Sequence, residues 1–240
     1  MTITAWSPSR LSTFEQCPRK AFFLYVQKHK EPTSPAQQRG TDVHAAAEQY
    51  VAARRLGQDV TPPSELAPFA GDLHELMSSH EVVLTESQHA LNRDLERVDW
   101  FARDVWLRVI FDVEMRRTQA ITVIDYKTGK VREKDHDQMD LYAVAAFSLY
   151  PEITEARTLL WYTTEGVEIE SHYLRKLHYE RLLDQWRERS EVMLTARDFP
   201  ARSSPLCRWC HFTHKHEAEV NRRYESWGIR DRVNPLCEEG

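Results

Sequence analysis

Ile121-Thr-Val-Ile-Asp-Tyr-Lys-Thr-Gly129 is the stretch on which the reading of the chain turns. Ile121, Val123 and Ile124 are β-branched and apolar, and Gly129 closes the run, so the segment reads as a buried strand. Side chains alternate along a strand, which sends Asp125 and Lys127 off the same face, two residues apart. Taken alone, the pair is explained by an exposed strand end carrying a casual ion pair. The upstream sequence argues for more. Trp106-Leu-Arg-Val-Ile-Phe-Asp-Val113 reads as a second strand, joined to the first by a short connection from Met115 to Ala120. A hairpin of that length brings Asp112 beside Asp125. Two carboxylates and a lysine at one spot are what a divalent-metal phosphodiesterase site needs.

Outward from this hairpin the chain reads as α/β. Ser7-Pro8 is a helix start, with Leu11 and Phe14 opening an apolar face; Pro18 breaks the helix after Cys17, and residues 21–26 resume it. The stretch 32–35 reads as a linker. Helices are expected over 36–56 and 65–79, and a strand over 82–87. An irregular stretch with Trp100 and Trp106 leads into the hairpin. Beyond it come a helix over 135–150, two strands over 158–163 and 167–174 turning at Glu165-Gly166, and a long amphipathic helix over 177–196. Helices, three strands, a helix, two strands and a helix make a mixed central sheet. No internal repeat or low-complexity tract appears.

Five features now fall in a fixed order: Gly40-Thr-Asp-Val-His44, Glu86, Asp112, Asp125-Tyr-Lys127 and Gln138-Met-Asp-Leu-Tyr142. Together with Cys17, Cys207 and Cys210 they resemble the PD-(D/E)XK nuclease superfamily. The likeness is to its RecB/AddB-type and CRISPR-associated exonucleases with split iron–sulfur cysteines. It spans the chain from Ser7 to about His216. It implies a restriction-endonuclease-like fold: a nuclease core over about 36–196 and a metal-stapled lobe from about 7–30 and 197–240, within a single domain.

The resemblance also implies roles. Asp112, Asp125, the carbonyl of Tyr126 and His44 would hold Mg2+ or Mn2+, with the imidazole biasing the site toward manganese. Lys127 would orient or deprotonate the attacking water, and Gln138 and Tyr142 would position the DNA phosphate or the lysine. Glu86 is a further metal ligand or supports one. A lone histidine near an apolar helix face is more often a core residue, but the spacing from Gly40 and the downstream carboxylates favour a ligand. The activity implied is a metal-dependent DNA exonuclease of the two-metal type, acting on linear ends in recombination, repair or CRISPR-type processing, and at home in a phage as well as a cell.

The tail, Cys207-Arg-Trp-Cys-His-Phe-Thr-His-Lys-His216, is rich in metal ligands. Cys-x-x-Cys alone suits zinc, redox chemistry or a cluster. The family pattern places a cysteine where His216 stands here. Cys17, Cys207, Cys210 and His216 are therefore expected to hold a 4Fe–4S cluster, with Zn2+ as the alternative metal and Cys237 as the alternative fourth ligand.

Composition bounds these readings. A formal charge of −5 over 240 residues argues against a general nucleic-acid coating, although Arg10, Arg19, Lys20, Lys28 and Lys30 form one local basic cluster and Lys127, Lys130, Arg132 and Lys134 another. No apolar run spans a membrane and no leader pattern opens the chain, so a cytoplasmic protein is expected. A homo-oligomer or a recombination or CRISPR partner protein is compatible with this reading. Two other function classes compete: a non-catalytic DNA-binding or scaffold protein on a decayed nuclease fold, which intact Asp112, Asp125 and Lys127 oppose, and a zinc or redox protein built on the Cys-x-x-Cys, which leaves the strand carboxylates unexplained.

Overall fold

The computed structural model describes residues 2–132 and 135–212. The chain divides into two compact units, residues 33–188 and residues 1–32 with 189–240. In the larger unit a helix α3 (Pro35–Arg55) and a helix α4 (Ala70–Ser79) precede the strands β1 (Val82–Leu91), β2 (Arg97–Val98), β3 (Leu107–Arg117) and β4 (Ala120–Lys127). Helix α5 (His136–Leu149), strands β5 (Glu155–Tyr162) and β6 (Val167–Leu174), and the part of helix α6 (Arg175–Thr195) up to Glu188 follow; its remaining residues belong to the smaller unit. The six strands form one mixed sheet in the order β2-β1-β3-β4-β5-β6. Among the described strands only β4 and β5 run parallel, and such a pair needs a crossover, which α5 provides. The α/β architecture expected from the sequence is the one observed.

β3 and β4 form the expected hairpin, but the connection is tighter than the sequence implied. The strand runs on to Arg117, Arg117 pairs with Ala120, and only Thr118 and Gln119 make the turn. The extra residues pair because Met115 is fully buried and Glu114 finds internal partners, so nothing forces an early exit. Val113 pairs with Ile124, and continuing that register by one sets Asp112 opposite Asp125. β4 is covered on both faces, which explains its unbroken apolar run.

Other boundaries shift by small amounts. Pro35 opens α3 behind a Ser34–Gln37 capping box, so the linker is shorter than expected. The helix expected from residue 65 begins as a short 3-10 turn at Ala67–Phe69 and becomes α-helical only at Ala70. Pro68 is the reason, since it can sit at a helix start but not inside one. Gly166, at φ +63°, turns β5 into β6 where expected. β2 was not anticipated; it is two residues long, too short to carry a sequence signature.

One core joins Ala47, Tyr50 and Val51 of α3 and Leu73 and Leu76 of α4 to Val113, Met115, Ile124, Tyr126, Leu159 and Trp161 of the sheet. Phe69 stacks on Trp161 at 4.8 Å with planes 6° apart. This packing fixes α3 against β4.

In the smaller unit α1 (Pro8–Gln16) is capped by the Ser7 hydroxyl and ends at Cys17, which adopts an extended conformation before α2 (Pro18–Ala21) and a wider turn at Phe22–Val26. Phe14 and Phe22 both pack on Phe199, and Arg189 makes a two-pronged ion pair with Glu15. The amide of Arg19 donates to the carbonyl of Pro200. The two ends of the chain thus share one unit.

Phe69→Ala should destabilise the protein by about 3–4 kcal/mol, the usual result of emptying a buried aromatic site. Urea unfolding measures it, and a loss below about 1 kcal/mol would contradict the packing described.

Candidate functional site

Asp125 and Lys127 leave β4 on the same face, and the lysine Nζ lies 2.6 Å from Asp125 Oδ2. Two residues one turn apart on α5 complete the cage. Gln138 accepts from Lys127 Nζ through Oε1 at 2.6 Å and donates from Nε2 to Asp125 Oδ1 at 2.8 Å. The same amide nitrogen also meets the Tyr142 hydroxyl, which itself donates to Asp125 Oδ1 at 2.5 Å. Burial, then the charges of Asp125 and Asp112, raise the Tyr142 pKa far above the ordinary phenol range, so it acts as a donor. The residues expected to orient either phosphate or lysine therefore hold the lysine and its carboxylate.

Asp112 stands on the neighbouring strand and is only 7% exposed. Its Oδ2 accepts from the amide of Tyr126 at 2.8 Å, so the backbone of β4 fixes the carboxylate of β3. Burial, followed by the negative charge of Asp125, pushes its pKa upward, while His44 and the Tyr126 amide pull it back.

His44 comes from α3. Its Nε2 is 2.9 Å from the Tyr126 carbonyl, its Nδ1 is 3.3 Å from Asp112 Oδ2 and 3.7 Å from Glu86 Oε1. With acceptors at both nitrogens the ring is held as imidazolium. Burial alone would lower its pKa, but the hydrogen bond and charge of Asp112, the charge of Asp125 and the Tyr126 carbonyl outweigh it and carry the value up to about 9. The ring thus places a positive charge where acceptors converge. A face of α3 joins this helix to the core through Ala47, Tyr50 and Val51, so His44 is carried to the sheet by ordinary helical spacing.

Glu86 is where the backbone departs from the ordinary. β1 pairs with β3 at Thr85–Val113 and at Ser87–Phe111, but Glu86, between them, makes no ladder pair and has φ +47°. A non-glycine residue in the left-handed region costs about 1–2 kcal/mol and clusters at functional sites. Burial, and next the charge of Asp112, raise its carboxyl pKa. Nothing in the sequence around Glu86 announces this conformation.

Among the described residues, His44, Glu86 and Asp112 form a group whose ligand atoms all lie within 4.8 Å of one another. Oxygen donors with one imidazole suit a divalent cation of the magnesium–manganese type. A further observation agrees: Asp125 Oδ2 is buried and, beyond its ion pair with Lys127, has no aligned hydrogen bond. Acceptors thus outnumber donors here.

The cysteines belong to the smaller unit. Cys17, Cys207 and Cys210 are free and half-buried. Cys207 lies within a 3-10 turn, Pro205–Trp209, and Cys210 caps its end; the Ser204 amide donates to the Cys207 sulfur at 3.3 Å. Burial raises the Cys210 thiol pKa, and Cys17 is near enough to add to the shift. His216 and Cys237, the expected fourth ligands, lie outside the described residues, as does Lys134 of the second basic cluster.

Sequence reasoning missed one polar centre. Glu114, two residues beyond Asp112, is fully buried, accepts from Ser87 and Tyr150, faces His89 Nε2 and forms an ion pair with Arg116. It fell just past the expected strand end at Val113, and its hydrogen-bond partners lie on other elements.

No curated protein sequence matches the chain. A solved structure described as the crystal structure of SSO0001 is similar over 87% of this chain and 83% of that one, with 13% identity and a TM-score of 0.38, a likeness too slight to argue from. The family comparison is of a different order. A model of the PD-(D/E)XK nuclease superfamily matches residues 5–214, a span that takes in the strand pair, His44, α5 and all three described cysteines. By that match, in agreement with the carboxylates and lysine gathered at β3 and β4, the chain belongs to the PD-(D/E)XK nuclease superfamily.

Proposed function

We propose that the protein is a metal-dependent DNA exonuclease that hydrolyses phosphodiester bonds at linear ends, in recombination, repair or CRISPR-type end processing. The observation that carries the reading is the meeting of Asp112, Asp125 and Lys127 at one strand end, with Gln138 and Tyr142 holding the last two in place. Superfamily membership supports a nuclease acting on DNA and using Mg2+ or Mn2+. No helix among the described residues is long and apolar enough to cross a membrane.

His44, Glu86, Asp112, Asp125 and the carbonyl of Tyr126 are the groups that would hold divalent cations in a two-metal-type site. Such cations neutralise charge on the phosphodiester and favour ionisation of a nearby water. The chain's own residues supply the rest. Lys127 donates from a fixed position, since Asp125 and Gln138 both hold its ammonium, and it would orient the attacking water and steady charge on the phosphate. Tyr142 and Gln138 keep Asp125 from turning away. Tyr126 ties Asp112 to β4 through its amide, which fixes the carboxylate of β3 relative to the strand that carries Asp125.

For the three thiols of the smaller unit we propose a second metal centre on their sequence spacing, since among the described residues only His44, Glu86 and Asp112 already stand as close as metal ligands do. With His216, or Cys237 in its place, Cys17, Cys207 and Cys210 would hold a 4Fe–4S cluster that staples the two chain ends, a stabilising role distinct from catalysis.

Lys127→Ala should lower single-turnover cleavage of labelled DNA at least about 100-fold while leaving DNA binding and the unfolding midpoint near wild type. Cleavage at the wild-type rate would remove the lysine from the mechanism. Metal affinity should depend on pH. In the metal-free site His44 is protonated below about 9, and a cation must displace that proton. Mn2+ measured by calorimetry should therefore bind about tenfold more tightly at pH 8 than at pH 7, and His44→Gln should shrink the ratio. Equal affinities at the two pH values in the wild type would exclude His44 as a ligand. Anaerobically purified protein should be brown, absorb broadly near ~400 nm and carry about four irons per chain. Colourless protein with one zinc per chain would replace the cluster by a zinc site.

A further inference from the structure

Glu114 is a carboxylate with no solvent exposure, set two residues beyond Asp112 on β3. Its two oxygens are shared among four groups from three elements. Oε2 accepts from the Ser87 hydroxyl at 2.8 Å and faces His89 Nε2 at 2.7 Å, both on β1. Oε1 accepts from the Tyr150 hydroxyl at 2.5 Å, at the C-terminal cap of α5, and pairs with Arg116 Nε at 3.0 Å on β3 itself. Arg116 in turn lies over the Tyr150 ring, with its guanidinium carbon 4.3 Å from the centroid. A buried charge is tolerated only when it is compensated, and here three hydrogen bonds and the ion pair with Arg116 do so.

The placement of these partners matters more than their number. Ser87 directly follows Glu86, the residue at φ +47° that leaves the β1–β3 ladder. A left-handed glutamate relaxes unless its neighbours hold it. Ser87 resumes pairing at Phe111 and is tied at its hydroxyl to Glu114, so the chain is pinned immediately after the distorted residue. Tyr150 pins the end of the helix whose first turns carry Gln138 and Tyr142. One buried carboxylate therefore anchors the strand that bears Glu86, the strand that bears Asp112 and the helix that braces Asp125.

The geometry points to Glu114 as a positioning residue: acting through Ser87 and Tyr150, it holds Glu86 in its left-handed conformation and so sets the carboxylate geometry that receives the divalent cation. The inference rests on the metal reading proposed above. Glu114 itself touches neither His44 nor Asp112 through any contact described, and its effect is transmitted through the backbone. Groups hydrogen-bonded directly to metal ligands typically alter metal affinity about 10–100-fold when removed, and for Glu114, acting one residue further out, the low end of that range is expected.

The test is Mn2+ binding to DNA-free protein by calorimetry, with the unfolding midpoint measured alongside. Ser87→Ala removes the tie beside Glu86 and should weaken Mn2+ binding about tenfold with little change in unfolding midpoint. Ser87→Thr keeps the hydroxyl and should restore most of the affinity, which a merely structural role for the side chain would not produce. Tyr150→Phe removes the tie on the other oxygen and should weaken binding in the same direction. Wild-type affinity in both Ser87→Ala and Tyr150→Phe would overturn the positioning role while leaving the metal site standing. A Ser87→Thr protein that binds as weakly as Ser87→Ala would overturn it as well. Absence of Mn2+ binding by the wild type would instead refute the metal reading, and the positioning role with it.

Discussion

Two buried carboxylates face each other across β3 and β4, and the rest of the site follows from the need to keep them there. Asp112 is 7% and Asp125 4% exposed, so neither can rely on water to spread its charge. The chain meets that need asymmetrically. Asp125 is surrounded by side-chain donors, Lys127, Gln138 and Tyr142, whereas Asp112 leans on the Tyr126 amide and on the imidazolium of His44. The asymmetry leaves the Asp112 side rich in acceptors, with Glu86 and the Tyr126 carbonyl close by. That is where a cation has most to gain, because it can replace the positive charge that His44 lends in its absence.

The same constraint explains why β4 is so thoroughly enclosed in the larger unit. β4 is covered on both faces and paired on both edges, with β3 antiparallel and β5 parallel. α5 reaches the sheet through polar contacts from Gln138 and Tyr142 at one end and Tyr150 at the other, with apolar packing between. A lysine whose ammonium is held from two sides loses little freedom on meeting substrate, which is what preorganised catalysis requires.

Much of this was legible in the residues. The β-branched run at Ile121 to Ile124 announced a covered strand, the short spacing to Asp112 announced a hairpin, and the four-residue interval between Gln138 and Tyr142 put both on one helix face. Two features could not be read. The left-handed backbone of Glu86 leaves no trace in a glutamate codon, because the residues that usually signal positive φ, glycine and asparagine, are absent there. Glu114 went unread because it lay past the expected strand end and its partners, except for Arg116, lie 25 to 36 positions away on other elements. Local pattern reports burial of apolar groups well and burial of a satisfied charge poorly, since the satisfaction is tertiary. The α4 start was misplaced for a smaller reason: Pro68 is compatible with a helix start, and the apolar spacing alone did not say where.

The cysteines illustrate a different limit. Their spacing is ambiguous taken alone, and the fold shows only that Cys17, Cys207 and Cys210 belong to one compact unit, with the aromatic contacts of Phe199 and the Glu15–Arg189 ion pair joining the two chain ends independently of any metal. A metal centre there would reinforce an association that side-chain packing already favours. The central claim concerns the other site, and incubation of the purified protein with end-labelled linear duplex and covalently closed circular DNA, with and without Mn2+, tests it most directly. The account predicts release of labelled nucleotides from the linear DNA only when the cation is present, with the circle left intact; no release from the linear DNA with any divalent cation would contradict it.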